Sequence, residues 1–116
     1  MDVNNINILV LAYLGDTIYE NYVRRYLINK GIGNVNDLQR ESIQAAYLLE
    51  LIESNFFTEE EIDVIKRARN YKNNSHPKNC DVVTYKYATG LEALIGYLDF
   101  VGNVGRIDEI MKIILK

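Results

Sequence analysis

From Leu11 to Arg24 the chain reads LAYLGDTIYENYVR. Its apolar residues recur three and four apart, the period at which side chains share one side of a helix. Ala12, Asp16, Tyr19, Val23 and Leu27 fall on one such side, and only Asp16 among them is neither apolar nor aromatic. Glu20 follows one turn later and points nearly the same way. Gly15 stands in mid-helix, where glycine costs about 1 kcal/mol relative to alanine. Helix stability alone selects neither Gly15 nor Asp16.

The helical pattern extends outward from this stretch. The first helix is expected from about Asn5 to Asn29, with Gly31 and Gly33 as C-terminal caps. A second is expected from about Asn36 to Ser54, where Asn36 with Gln39 resembles a capping pair. Thr58 and Glu61 form a capping box that opens a third, running to about Asn70. A polar loop, YKNNSHPKN, follows from Tyr71 to Asn79 and holds the only proline, Pro77, and the only histidine, His76, read as a loop residue. A fourth helix is expected from about Asp81 to Val101, ended by Gly102. A fifth runs from Gly105 or Arg106 to Leu115, with Ile107, Ile110, Met111 and Ile114 at helical spacing. There is no repeat, low-complexity tract or linker. The expectation is an all-α protein of about five main helices, one domain over residues 1–116.

A chain of 116 residues with 48% hydrophobic residues can build its own core. The single cysteine, Cys80, excludes an intrachain disulfide and suits a reducing cytoplasm. The N-terminus has no basic segment before an apolar one, so no secretory signal is expected. The apolar run from Ile6 to Leu14 is shorter than the roughly 20 residues that span a bilayer, so no membrane role is expected. The net charge of −3 argues, as an average, against nucleic acid. The distribution argues otherwise. From Lys66 to Lys86 there are six basic residues (Lys66, Arg67, Arg69, Lys72, Lys78, Lys86) and one acid, Asp81, while the rest of the chain holds seven basic and fifteen acidic residues. A phosphate backbone would feel that segment. Asn70, Asn73 and Asn74 add hydrogen-bond donors to it.

The fourth helix carries a second misplaced acid. From Leu91 to Leu98 it reads LEALIGYL, and Glu92 is the only charge in that window. Gly90 and Gly96 beside it let another backbone come close. A carboxylate buried alone costs several kcal/mol (about 2–7 even for a neutral polar group), so it is paired, protonated or bound to metal. Arg24 or Arg25 would serve as a partner. If the first and fourth helices pack together, Asp16 and Glu92 face each other and repel unless a cation lies between them. Oxygen ligands of this kind suit magnesium (Mg2+).

The segments LAYLGDTIYENYVR (Leu11 to Arg24) and YATGLEALIGYL (Tyr87 to Leu98) resemble the two halves of a ribonuclease III catalytic domain. The intervening KRARNYKNNSHPKNCDVVTYKYATG is similar to the short bacterial branch of that family, Mini-ribonuclease III. The resemblance covers nearly the whole chain in order and spacing. It implies an all-helical ribonuclease III-type endonuclease fold and a homodimer with a duplex-RNA valley across it. It also implies magnesium-dependent hydrolysis leaving 5′-phosphate and 3′-hydroxyl ends, and maturation of precursor 23S (large-subunit) ribosomal RNA. A ribosomal protein on that substrate is a further candidate partner. Asp16 matches the acid of the LGD motif and Glu92 the metal-binding acid of the second motif, so they are the catalytic and metal-binding pair implied. Glu20 is a candidate auxiliary ligand, and equally a surface partner for Arg24 at i+4. Lys66, Arg67, Arg69, Asn70, Lys72, Asn73, Lys78 and Lys86 are the candidate RNA contacts. Full-length ribonuclease III has further acids where this chain has Ala12 and Thr89, which bears on how many ions each site holds. The chain ends at Lys116, which leaves no room for a double-stranded-RNA-binding domain.

Nine tyrosines, among them Tyr13, Tyr19, Tyr22, Tyr26, Tyr85, Tyr87 and Tyr97, suit an interface that is part apolar and part wet, or the protein's own core. Two other functions compete. One is a catalytically inactive relative acting as an RNA-binding or assembly module, which would be expected to lose the acids. The other is a helical protein–protein adaptor, which needs neither acid nor a basic segment.

Overall fold

Asn7 sets where the first long helix begins. Its side chain accepts a hydrogen bond from the Leu9 amide at 2.8 Å, satisfying a donor that the helix leaves unpaired. In the computed structural model, which describes residues 2–45, 56–71 and 82–115 and their side chains except at 43–45 and 82–87, the chain runs as follows. A short 3-10 turn, Val3–Asn5, capped by Asp2, precedes α1, Ile8–Asn29. The helix expected from Asn5 therefore starts three residues later, because Asp2 and Asn7 each cap a separate turn.

α1 ends as its glycine foretold. Gly31 takes φ of 105°, the Gly31 amide donates to Ile28 O and the Ile32 amide to Leu27 O, the paired bonds of a Schellman motif. α2 spans Val35–Ala45. Its cap is Asn34, whose Oδ1 accepts from the Asp37 amide at 2.8 Å and whose amide nitrogen donates back to the Asp37 carboxylate. The capping pair is thus two residues earlier than Asn36 and Gln39, and the expected extension to Ser54 lies outside the described residues. α3, Glu59–Arg69, opens with the capping box read from sequence: Thr58 and Glu61 satisfy each other's amides at 2.9 and 3.2 Å. α4 spans Val82–Phe100 and closes in a second Schellman motif at Gly102, φ 85°. Asn103 caps α5, Val104–Ile114. The described residues form helices and no strand.

α4 is the centre. Leu91, Ala93, Leu94 and Ile95 on it are wholly buried. α1 packs along it with Ile8, Leu11, Ala12, Tyr19 and Val23; α3 packs with Val64, Ile65 and Ala68; α5 adds Ile107, Ile110, Met111 and Ile114, the residues its spacing predicted. Burial of this apolar surface, at about 25 cal/mol per Å², supplies most of the stabilisation. Because α1 and α3 both lie on α4, any acid at the α1–α4 seam is sited by the core itself. No helix among the described residues is long and apolar enough to cross a membrane.

Candidate active site

The seam between α1 and α4 is closer than side chains would allow. A Cβ built on Gly15 would lie 1.7 Å from the Glu92 carbonyl oxygen, and one on Gly96 would lie 1.9 Å from the Leu11 carbonyl oxygen. Both positions must lack a side chain, since no real contact is that short. The residue numbers rise along one helix as they fall along the other, so the helices run antiparallel there. The mid-helix glycines that cost helix propensity are thus what lets the backbones touch. The same contact fixes the acids: Asp16 follows Gly15, and Glu92 is the residue whose backbone Gly15 meets.

The electrostatics agree with that proximity. Burial raises the Asp16 carboxyl above its ordinary range, and the charge of Glu20 raises it further. Burial lifts Glu92 to about 8, with the charges of Asp16 and then Glu20 adding to it. Glu92 is half-buried and Asp16 is exposed, so the pair has one foot in the core and one in solvent. Tyr19, buried beneath, has its phenol pushed up by burial and by the charge of Glu92. At neutral pH Glu92 keeps its proton unless positive charge arrives. The arrangement is a pair of oxygen donors that could hold a cation. Among the described residues no three His, Cys, Asp or Glu side chains gather as a metal cage. Two carboxylates, with water completing the shell, match what a small hard cation takes.

Glu20 lies one turn beyond Asp16 and pairs with Arg24 at 3.0 Å, both about half exposed. It is near enough to raise both acids, yet its carboxylate is turned to Arg24. Arg25 donates from Nε to Asn21 Oδ1 at 2.8 Å. Neither arginine neutralises Asp16 or Glu92: no arginine enters among the causes of their shifts.

Lys66, Arg67, Arg69 and Asn70 are all exposed at the C-terminal end of α3, where cations also favour the helix dipole. Lys86 lies within α4. Lys72, Asn73 and Lys78, with Asn74, His76, Pro77 and Cys80, lie outside the described residues.

Two features go beyond the sequence reading. Tyr13, one of the tyrosines read as suiting an interface or the core, is 80% exposed on α1 just before the Gly15–Asp16 step, and Val10, which the sequence reading did not single out, is 58% exposed beside it. Their spacing of three was a usable signal, since it sets both off the core side. The second is Glu61, which besides capping α3 forms a buried pair with Arg106 of α5. The 45-residue separation of the two left no local pattern to find.

Comparison with known proteins adds to this geometry. A family model described as the Ribonuclease III domain matches residues 9–102. Mini-ribonuclease 3 of Streptococcus pneumoniae is 39% identical, over 96% of this chain and 92% of its own. Mini-ribonuclease 3 of Desulfitobacterium hafniense is 47% identical, over 87% of this chain and 67% of its own. The X-ray structure of a protein from Fusobacterium nucleatum matches with a TM-score of 0.81 at 31% identity, covering 97% of this chain and 94% of that one.

Proposed function

The chain belongs to the ribonuclease III family and is an endoribonuclease, and from that premise we propose that it cuts double-stranded RNA with magnesium held by Asp16 and Glu92. The observation that carries the proposal is the glycine-lined contact that brings one acid from α1 beside one from α4. The donor set fits the metal: two carboxylates, one of them raised to about 8 by burial and by its acidic neighbours. When bound, magnesium supplies Lewis-acid stabilisation of the phosphate's developing charge and eases deprotonation of the attacking water. The chain's own part is to hold two carboxylates in register from rigid helices, to bury one side of the pair, and to align the phosphate by surface cations. Neither acid forms a covalent bond to the substrate. Glu20, steadied by Arg24, stands as an auxiliary ligand for the shell.

The exposed cations at the end of α3, with Lys72, Asn73, Lys78 and Lys86, are proposed to hold the RNA backbone. Duplex RNA is recognised mainly through shape and phosphate, so placed charge matters more than base-reading groups. The enzyme is proposed to act as a homodimer, supported by Val10 and Tyr13, which leave an apolar, aromatic surface open beside the acids. Its substrate is proposed to be precursor 23S ribosomal RNA, from the likeness to Mini-ribonuclease 3 proteins along most of the chain, with a ribosomal protein on the substrate as a further partner. The place of action is proposed to be the cytoplasm.

The test is cleavage of a long RNA duplex in magnesium or in EDTA, by wild type and by Glu92→Gln. Metal-dependent cutting that disappears in the variant supports the assignment. A variant that still turns over removes Glu92 from the site, and binding without cutting by wild type points to an inactive RNA-binding relative.

A further inference from the structure

The outer face of α1 changes character at Asp16. Before it stand the exposed Val10 and Tyr13. After it stand Thr17, Asn21, Arg24 and Arg25, all exposed. At about 100° per residue these lie away from the side that Leu11, Gly15, Tyr19 and Val23 bury. A groove follows this second half of the helix; among the described residues its cations are Arg24 and Arg25, its one acid is Glu20, and the exposed Ile28 lies at its end.

We propose that Arg24 and Arg25 form a second phosphate-binding track for the RNA backbone, separate from the cations of α3. The proposal rests on the reading of the protein as a duplex-RNA endonuclease. Arg24 lies eight positions past Asp16, about 12 Å along the helix axis and about 80° round it, and Arg25 nine positions past, about 13.5 Å along and half a turn round, so the track curls over the helix away from the acids. Phosphates held there lie a few nucleotides from the one at the acids, so the track sets where the strand is cut as well as how tightly it is held. The side chains suit the task. Asn21 already orients the Arg25 guanidinium through Nε, and the arginine fork matches a phosphate's paired oxygens. Arg24 is paired with Glu20 in a half-exposed bridge that contributes little, so an arriving phosphate competes on favourable terms. Adjacent exposed arginines suit a polyanion, and the aromatic, uncharged Val10–Tyr13 half suits an interface core.

The test compares wild type with the double variant Arg24→Gln/Arg25→Gln, first in EDTA, by binding to an RNA duplex over a range of salt. Binding is expected to weaken on the order of tenfold or more, and the log–log salt slope to shrink by about 2, one per lost phosphate contact. In magnesium, the single variant Arg25→Gln, which leaves the Arg24–Glu20 pair in place, should raise KM while kcat stays within about threefold, and sedimentation should give the same mass for wild type and both variants. Duplexes with a single uncharged methylphosphonate linkage, walked away from the cut, should include a position that weakens wild type and leaves the variant unmoved. An unchanged salt slope, or linkage effects that simply add to the variant's, overturns the proposal. A fall in mass also overturns it, by giving this face to a second copy of the chain. A wild type that neither binds nor cuts duplex RNA sinks the parent reading, and this one with it; a wild type that binds with a slope the variant shares sinks this one alone.

Discussion

Glu61 and Glu92 are the same residue type in two parts of one core, and their surroundings treat them oppositely. Glu61 is 7% exposed, and Arg106 of α5, 17% exposed, meets both of its oxygens at 2.7 Å. Arg106 also donates to Phe56 O, and its guanidinium stacks on the Phe56 ring with the centroid 4.4 Å away. Burial raises the Glu61 carboxyl, but the Arg106 and Thr58 hydrogen bonds outweigh it and hold the group below its usual range. Burial raises the Glu92 carboxyl too, and the acids it faces raise it further. The difference separates two uses of a carboxylate. One is answered by the fold and fastens α3 to α5. The other has no basic group of the fold among the charges that shift it, and on the proposed function an external cation completes it.

The strongest challenge to that contrast is catalytic. Asp16→Asn or Glu92→Gln should reduce RNA cleavage on the order of ten-thousand-fold, roughly 5 kcal/mol of barrier, with helix content preserved. Glu61→Gln should leave the per-molecule rate of folded protein near wild type. Equal losses in all three, measured as kcat at a temperature where each is folded, would erase the distinction.

Stability should show the reverse order. Arg106→Met strands Glu61 as a buried unpaired charge and should cost about 3–5 kcal/mol, read from denaturant unfolding. Glu61→Gln keeps the shape but loses charge-assisted bonds, and should cost roughly 1.5–3 kcal/mol. An unshifted midpoint for Arg106→Met would mean that the pair adds nothing to the fold.

Gly15→Ala tests whether the seam itself holds the acids. The added methyl meets backbone, which cannot rotate away, so the helices must part. The expected cost is about 1–3 kcal/mol of stability, together with a fall in kcat larger than that in protein brought to the same stability by a substitution elsewhere. Activity that merely tracked stability would make the glycine a packing residue only.

How far each region could be read from sequence follows from how local its cause is. Thr58 with Glu61, and the glycines Gly31 and Gly102, announce helix ends because a cap is settled within a few residues. Asn36 reads as a cap, but Asn34 two residues earlier offers the same chemistry, and only the backbone turn before Val35 makes Asn34 the cap. Asp16 and Glu92 stood out because a charge in an apolar window is anomalous in one dimension. That they meet was conditional on α1 packing against α4. Glu61 and Arg106 gave no such sign: each sits in an ordinary charged setting along the chain, and only the packing of α3 and α5 on α4 brings them together.

The smallest expected effect tests the sign of the Glu92 shift. In EDTA, Glu92 titrates near its ordinary 4.5 when unfolded and at about 8 when folded. Between those values the folded protein keeps a proton that the unfolded chain has lost. The stability this group contributes is full below pH 4.5 and falls away as pH rises to about 8. Glu92→Gln cannot ionise and escapes that fall. Because Glu92 is only half-buried the gain is screened, and the variant should melt just a few °C higher than wild type at pH 8.5, at about 4–8 °C per kcal/mol, with no gain at pH 4.5. Glu61 works in the other direction: its folded value is lowered, so its contribution is present above 4.5 and lost as acid protonates it, in wild type and variant alike. Adding magnesium at pH 8.5 should raise the wild-type melting temperature and narrow the gap, since only wild type has both acids to bind it. Melting curves of the two proteins that ran parallel from pH 5 to 8.5, and that magnesium shifted equally, would show Glu92 to be an ordinary solvated acid and undo the contrast with Glu61.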